Sequence, residues 1–241
     1  MSLLREISFA QEIINTKNAL SIMSNVYIEA SDSKLTIRAT DVKVGFESSI
    51  PIDGIEPGSL TVFCDKLMGI LMSLPEGEVS FEQDEGRVVL RPKAKKVRFQ
   101  LKTLSGEKFP EIPVAEKSAY FDVPSGEFKK MILQTIFSVS TDETRFFMNG
   151  VYMEKTQEGS LVMVSTDGRR LAYVKKSFQG GIPDFKPVII PTKALSLLIK
   201  HLPEEGSVSL AIKEKFVFFK FFSKTVTSVL IEGQFPNYQK V

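Results

Sequence analysis

Leu74-Pro75-Glu76-Gly77-Glu78-Val79-Ser80 returns later in the chain as Leu202-Pro203-Glu204-Glu205-Gly206-Ser207-Val208-Ser209. The echo has company. Val26-Tyr27-Ile28-Glu29 reappears as Val151-Tyr152-Met153-Glu154, Thr40-Asp41 as Thr166-Asp167, and Phe109-Pro110 as Phe235-Pro236, the last two offset by 126 residues. Order and spacing are kept throughout. A period of this length is a domain duplication, whereas solenoid repeats run to 20–50 residues. The repeat predicts two homologous domains, residues 1–115 and 116–241, joined near 113–118.

Both copies share one α+β plan. Each is expected to open on a helix, at residues 3–14 and 126–139. Strands follow at 26–30, 34–39 and 43–49, with counterparts at 151–155, 160–165 and 170–176. Lys34-Leu35-Thr36-Ile37-Arg38-Ala39 alternates polar and apolar residues, as a strand with one wet face does. A second helix is expected at 65–73 and 192–201, then three more strands, among them 96–101 and 225–231. Leu195, Leu198, Ile199 and Leu202 mark the dry stripe of one helix, with Lys193 and Lys200 off it. Leu67, Leu71 and Leu74 mark a second stripe; Phe128, Met131, Ile132 and Ile136 mark a third. Copy two begins with an extra strand at 119–123. Copy one begins on its helix, so the matching strand is expected to lie before Met1, with Met1-Ser2 a leader.

Composition narrows the chemistry. With 43% hydrophobic and 25% charged residues the 241-residue chain is globular, neither disordered nor fibrous. Its net charge is +2, so a nucleic-acid surface would need local segregation of charge. Cys64 and His201 are each the sole residue of their type. No disulfide, thiolate metal cage or Ser-His-Asp triad can be built from them with any redundancy. Cys64, flanked by Val62-Phe63 and Leu67-Met68, reads as a buried thiol. His201 reads as a helix-end residue near the last carbonyls. No apolar run reaches 18 residues and the N-terminus lacks a signal-peptide layout, which predicts a cytoplasmic setting without membrane association. Neither G-x-G-x-x-G nor G-x-x-x-x-G-K-[ST] occurs. Thr166-Asp167-Gly168-Arg169-Arg170 reads as a tight turn between strands. Lys93, Lys95, Lys96 and Arg98 read as a turn leading into a charge-guarded edge strand. No metal, cofactor or catalytic constellation is expected.

Several stretches nevertheless resemble one family. They are Arg145-Phe146-Phe147-Met148-Asn149-Gly150-Val151, Thr166-Asp167-Gly168-Arg169-Arg170-Leu171-Ala172, Phe109-Pro110 within 107–113, and the terminal Phe235-Pro236-Asn237-Tyr238-Gln239-Lys240-Val241. In order along the whole chain, they are similar to the bacterial sliding clamps, the beta subunits of DNA polymerase III. The resemblance implies the DNA clamp fold, with duplicated domains each carrying two helices packed on curved antiparallel sheets. The family builds a subunit from three such domains and closes two subunits head to tail around duplex DNA. The chain carries two copies, so the third domain is expected to be absent, and this fragment to be a monomer where the full-length protein is a homodimer.

What the resemblance implies for residues is specific. A groove that captures clamp-binding peptides, which typically carry a glutamine followed by bulky apolar residues, would use Arg145, Met148, Thr166, Gly168, Arg169, Arg170, Leu171, Pro236, Lys240 and Val241. Leu171, Met148, Pro236 and Val241 would form its apolar centre, and Arg145, Arg170 and Lys240 its polar rim. Lys17, Lys66 and Lys193 would face DNA, followed by Lys129, Lys130 and Lys200. Phe99 and Leu101 would supply the apolar part of the ring interface. Expected partners are double-stranded DNA, held topologically without sequence preference, and the polymerase III catalytic subunit, the clamp loader, other polymerases and repair proteins. Weakened peptide binding is expected of two domains alone. The departures from the family pattern are the missing Pro in Leu20-Ser21-Ile22-Met23-Ser24-Asn25, Arg169 where His is common, and the acidic Asp142 ahead of Arg145. Two alternatives remain open: a duplicated module that grips DNA without a ring, and a protein-interaction scaffold.

Overall fold

The structure, a computed structural model, describes residues 3–14, 22–53 and 56–240. It divides into two compact units, Met1–Ile112 and Pro113–Val241.

The first unit runs α1 (Leu3–Ile13), β1 (Asn25–Ser31), β2 (Lys34–Thr40), β3 (Val44–Pro51), β4 (Gly58–Phe63), α2 (Cys64–Ser73), β5 (Val79–Asp84), β6 (Arg87–Pro92) and β7 (Phe99–Leu104). Its strands are hydrogen-bonded in the order β5-β6-β7-β4-β1-β2-β3, every pair antiparallel. The second unit runs β8 (Phe121–Pro124), α3 (Ser125–Leu133), β9 (Gly150–Lys155), β10 (Leu161–Thr166), β11 (Leu171–Lys176), β12 (Val188–Pro191), α4 (Thr192–His201), β13 (Ser207–Lys213), β14 (Phe216–Phe221) and β15 (Lys224–Val229). Its strands form two sheets, β8-β13-β14-β15 and β11-β10-β9-β12.

Each unit buries a pair of helices against its strands, and α1 packs on α2 as α3 packs on α4. The buried faces are apolar by helical spacing: Ile7, Phe9, Ala10 and Ile13 on α1, Phe128, Met131 and Ile132 on α3, and Ala194, Leu195, Leu197 and Leu198 on α4. Phe9 stacks on Phe46 of β3 at 4.5 Å between ring centroids. Truncating one of these fully buried leucines to alanine costs about 2–5 kcal/mol. Cys64 is fully buried at the start of α2, and burial pushes its thiol up to about 12. Among the described residues no helix is long and apolar enough to cross a membrane.

Three expectations change. The first helix of the second unit ends at Leu133, short of residue 139. Thr135 ends it: its hydroxyl donates back to the carbonyls of Met131 (2.8 Å) and Ile132 (3.2 Å), and a separate 3-10 turn follows at Ile136–Ser138. The strand expected at 96–101 lies at Phe99–Leu104, because residues 93–98 form the turn after Pro92, with the Lys95 N–H donating to the Pro92 carbonyl. Through Phe99–Lys102, β7 pairs with β6, and it meets β4 only at Thr103 and Leu104. Finally, β4 and β12 precede the second helix of each unit where no strand was expected. Leu60-Thr61-Val62-Phe63 and Val188-Ile189-Ile190 are short apolar runs without alternation, and they enter α2 and α4 directly.

Candidate functional site

The turn joining β10 to β11 is built by two side chains. Thr166 Oγ1 donates to the Arg170 carbonyl (2.7 Å) and accepts from the Gly168 N–H (3.0 Å). Asp167 Oδ1 accepts from the N–H groups of Arg169 (2.9 Å) and Arg170 (3.0 Å), and Oδ2 accepts from Arg170 Nε (2.9 Å). Those two backbone donors, with the Arg170 guanidinium, hold the Asp167 carboxyl below the usual carboxylate range. Gly168 sits at φ +87°, and a Cβ there would lie 3.4 Å from an Arg145 guanidinium nitrogen. The glycine thus supplies the left-handed turn, and Arg145 packs beside it at ordinary contact distance.

Arg145 belongs to a 3-10 stretch, Glu143–Met148, in which it alone has non-helical angles. Asp142 caps that stretch by accepting from the Thr144 N–H, and pairs with Arg145 Nε at 3.3 Å. The Arg170 guanidinium lies 5.8 Å from the ring centroid of exposed Phe137. Arg145 and Arg170, each paired with a neighbouring carboxylate, thus lie beside the Gly168 turn, and Arg169 is exposed within it. The expected apolar centre is smaller than the sequence suggested. Met148 is 4% exposed and Thr166 8%, so both are packing residues, and among the described residues of that centre only Leu171 (37% exposed) and half-buried Pro236 present surface. Lys240 is exposed in the 3-10 turn Tyr238–Lys240. Val241 and Lys17 lie outside the described residues.

Leu171 opens onto a hollow of about 480 Å³ that the sequence did not single out; Glu154, Thr156, Tyr173, Lys175, Tyr238 and Gln239 complete its lining. The C-terminal segment makes its wall. Phe235 packs with Val162, Val164 and Ile189 and stacks on Tyr152 at 4.9 Å, which brings Tyr238 over β9. Tyr152 Oη donates to Glu154 Oε2 (2.7 Å), and Tyr238 Oη donates to Glu154 Oε1. Burial first, then these bonds to a carboxylate, push the Tyr238 hydroxyl up to about 12 and raise that of Tyr152 as well. Spacing carried a signal for this site, since Leu171, Tyr173 and Lys175 alternate along one face of β11.

The remaining candidates lie elsewhere. Lys66 is exposed in the first turn of α2, and Lys193 is half-buried in the first turn of α4. Lys129 is paired with Glu204 at 2.6 Å and Lys130 with Glu127 at 3.0 Å, so both have local structural partners. Phe99 and Leu101 are half-buried on β7, opposite Leu90 and Val88 of β6. No group of three or more His, Cys, Asp or Glu among the described residues could hold a metal ion.

Comparison with known proteins places this architecture. Residues 1–113 match the family described as DNA polymerase III beta subunit, N-terminal domain, and residues 122–237 match the same subunit's central domain. The beta sliding clamp of Treponema pallidum is 47% identical over 238 residues, covering 99% of this chain and 64% of that relative. That of Caulobacter vibrioides is 31% identical over 249 residues, covering 66% of its length. The crystal structure of the DNA polymerase III subunit beta from Pseudomonas aeruginosa superposes with a TM-score of 0.91 at 28% identity, over 99% of this chain and 65% of that one. The chain thus spans about two thirds of the length of these relatives. Repeat, fold and similarity along the whole length agree: the chain belongs to the beta sliding clamp family.

Proposed function

We propose that this chain forms the first two domains of a non-catalytic DNA sliding clamp, which, with a third domain, closes as a head-to-tail dimer around duplex DNA in the bacterial cytoplasm. The duplication carries this reading. Two units repeat the plan helix, four antiparallel strands, helix, three strands, as a ring assembled from copies of one domain requires. Encirclement holds DNA by topology, so sliding needs only weak, salt-sensitive attraction to phosphate and no base contacts. Lys66 and Lys193 suit that task. A cation in a helix's first turn opposes the positive helix end at a cost of about 0.3–1 kcal/mol, so helix stability does not account for them. Phe99 and Leu101 serve as the apolar part of the ring contact in this reading, and two domains alone are monomeric.

The second unit's Gly168 turn, Leu171 and Pro236, framed by Arg145, Arg169, Arg170 and Lys240, form part of the groove that tethers the polymerase, the clamp loader and repair proteins by their clamp-binding peptides. An apolar anchor within a polar rim is the arrangement from which such contacts draw their energy. The test uses the intact parent protein, loaded by its clamp loader onto a nicked circular duplex that is then cut. Release on linearisation is expected. Retention on the linear product would mean direct gripping and would overturn the ring.

A further inference from the structure

The hollow of the second unit has an internal reference in the first. Tyr27, Arg38 and Glu47 stand abreast on β1, β2 and β3. Tyr152, Val164 and Tyr173 stand abreast on β9, β10 and β11 in the same way. Glu29 and Glu154 take matching places two residues along β1 and β9. In the first unit the Arg38 guanidinium fills the centre. It lies 5.4 Å from the Tyr27 ring centroid, 2.6 Å from a Glu47 oxygen and 3.5 Å from a Glu29 oxygen. In the second unit the tyrosine and the carboxylate are kept, but Val164 stands where the arginine was and is buried under Phe235, and a hollow of about 480 Å³ opens to the side of that position, between Glu154, Tyr173 and Tyr238. Lys175, the other charged group lining it, is already paired with Glu158 at 2.5 Å. The charge left to a ligand is the negative charge of Glu154, whose two oxygens each accept one tyrosine hydroxyl and keep further lone pairs.

We infer that this hollow receives an arginine side chain from a partner peptide, the guanidinium lying against the rings of Tyr173 and Tyr238 and donating to Glu154. The partner's arginine would pair with the carboxylate of Glu154, as Arg38 pairs with the equivalent Glu29 in the first unit. Its planar, delocalised cation suits a tyrosine face next to a carboxylate better than a compact ammonium does. The inference rests on the proposed groove only for the origin of the arginine. Leu171 borders both sites, so a peptide whose apolar residue sits at Leu171 delivers a neighbouring side chain to the hollow.

The first test needs no groove peptide. The 241-residue protein is titrated with Nα-acetyl-arginine amide and, separately, with the citrulline amide, following backbone and tyrosine-ring resonances by NMR. Saturable shifts confined to Leu171–Lys176 and Tyr238 are expected, about fivefold weaker with the neutral citrulline amide, as loss of a cation contact predicts. Glu154→Gln, which keeps side-chain volume, abolishes the preference for arginine. Equal responses to both amides, or none to either, overturn the inference. The second test compares an anchor peptide (glutamine followed by bulky apolar residues) with and without a flanking arginine. Tighter binding of the arginine form, again about fivefold, is expected. Equal binding of both forms overturns the inference and leaves the groove standing. Failure of both peptides, with the arginine-amide response intact, overturns the groove and leaves the hollow.

Discussion

The same place on the two units has been finished in two ways. On the first, Arg38 closes the centre of the β1-β2-β3 face with two ion pairs and a tyrosine contact. On the second, Val164 lies buried, the C-terminal segment folds back over it, and an open hollow with an acidic end remains. Duplication preserved the backbone plan, while side chains filled one copy and left an open hollow on the other. The turns at the ends of β2 and β10 teach a related lesson. Thr40 and Asp41 repeat the bonds of Thr166 and Asp167: Thr40 Oγ1 donates to the Val44 carbonyl (2.9 Å) and accepts from the Val42 N–H (3.0 Å), and Asp41 Oδ1 accepts from the Val44 N–H (2.6 Å). The residue following the Asp has a left-handed backbone in both, φ +75° at Val42 and φ +87° at Gly168. Of the two, only the second unit uses glycine there, and an Arg145 guanidinium nitrogen lies close to it.

The largest expected effect separates the two aromatic plugs. Phe235 is 8% exposed, so Phe235→Ala should destabilise the second unit by about 3–5 kcal/mol in denaturant unfolding and disturb Tyr238 with it. Phe109, 5.4 Å from Tyr27 and half-buried, should lose roughly half as much on truncation. Equal losses would mean that the second unit's C-terminal segment has no special anchoring role. Next come the turns. Gly168→Val places a β-branched residue at φ +87° and should cost about 1–3 kcal/mol, whereas Val42→Gly should raise the melting temperature by relieving the same strain, less the entropy a glycine adds to the unfolded chain. A fall in melting temperature for Val42→Gly would show that the strain at Val42 is smaller than the entropy a glycine adds to the unfolded chain.

Smaller still is Arg38→Met. The ion pairs it removes are about one-third exposed and therefore screened, so a loss of about 0.5–1 kcal/mol that shrinks in salt is expected. The weakest contrast concerns pH. The folded Tyr238 hydroxyl is pushed up to about 12 from an ordinary value near 10, so folding favours its neutral form. That stabilisation is complete below about pH 10 and disappears as the pH climbs toward 12. Ultraviolet titration of the wild type against Tyr238→Phe should show one tyrosine ionising in this late range, and an identical pair of curves would remove the account of its hydrogen bond.

Much of the fold was legible because its signals are local. The stripe Leu195, Leu198 and Leu202 gave α4, and alternation along Lys34–Ala39 gave β2 with an error of one residue. β4 and β12 are not legible in the sequence because a largely apolar run of three or four residues carries no period to separate it from a loop or a helix entry. The end of α3 depended on the Thr135 hydroxyl bonding back into its own helix, a choice the apolar spacing of Ile136 concealed. For the site, the Thr166-Asp167 turn was visible because Asp-Gly announces its own geometry. The hollow was not, since it needs Glu154, Tyr173 and Tyr238 brought together from three separate segments. Met148 was read as pocket surface although the structure buries it, because sequence distinguishes an apolar residue from a polar one but not a floor from the core beneath it.

The central claim is that docking was assigned to one copy of a duplicated domain. Titrating the protein with a glutamine-containing apolar peptide, while following the backbone amides of both β3 and β11, tests it most directly. The account predicts saturable shifts along Leu171–Lys176 and around Gly168, with Val44–Pro51 unmoved. Equal shifts on both strands, or shifts on β3 alone, would contradict it.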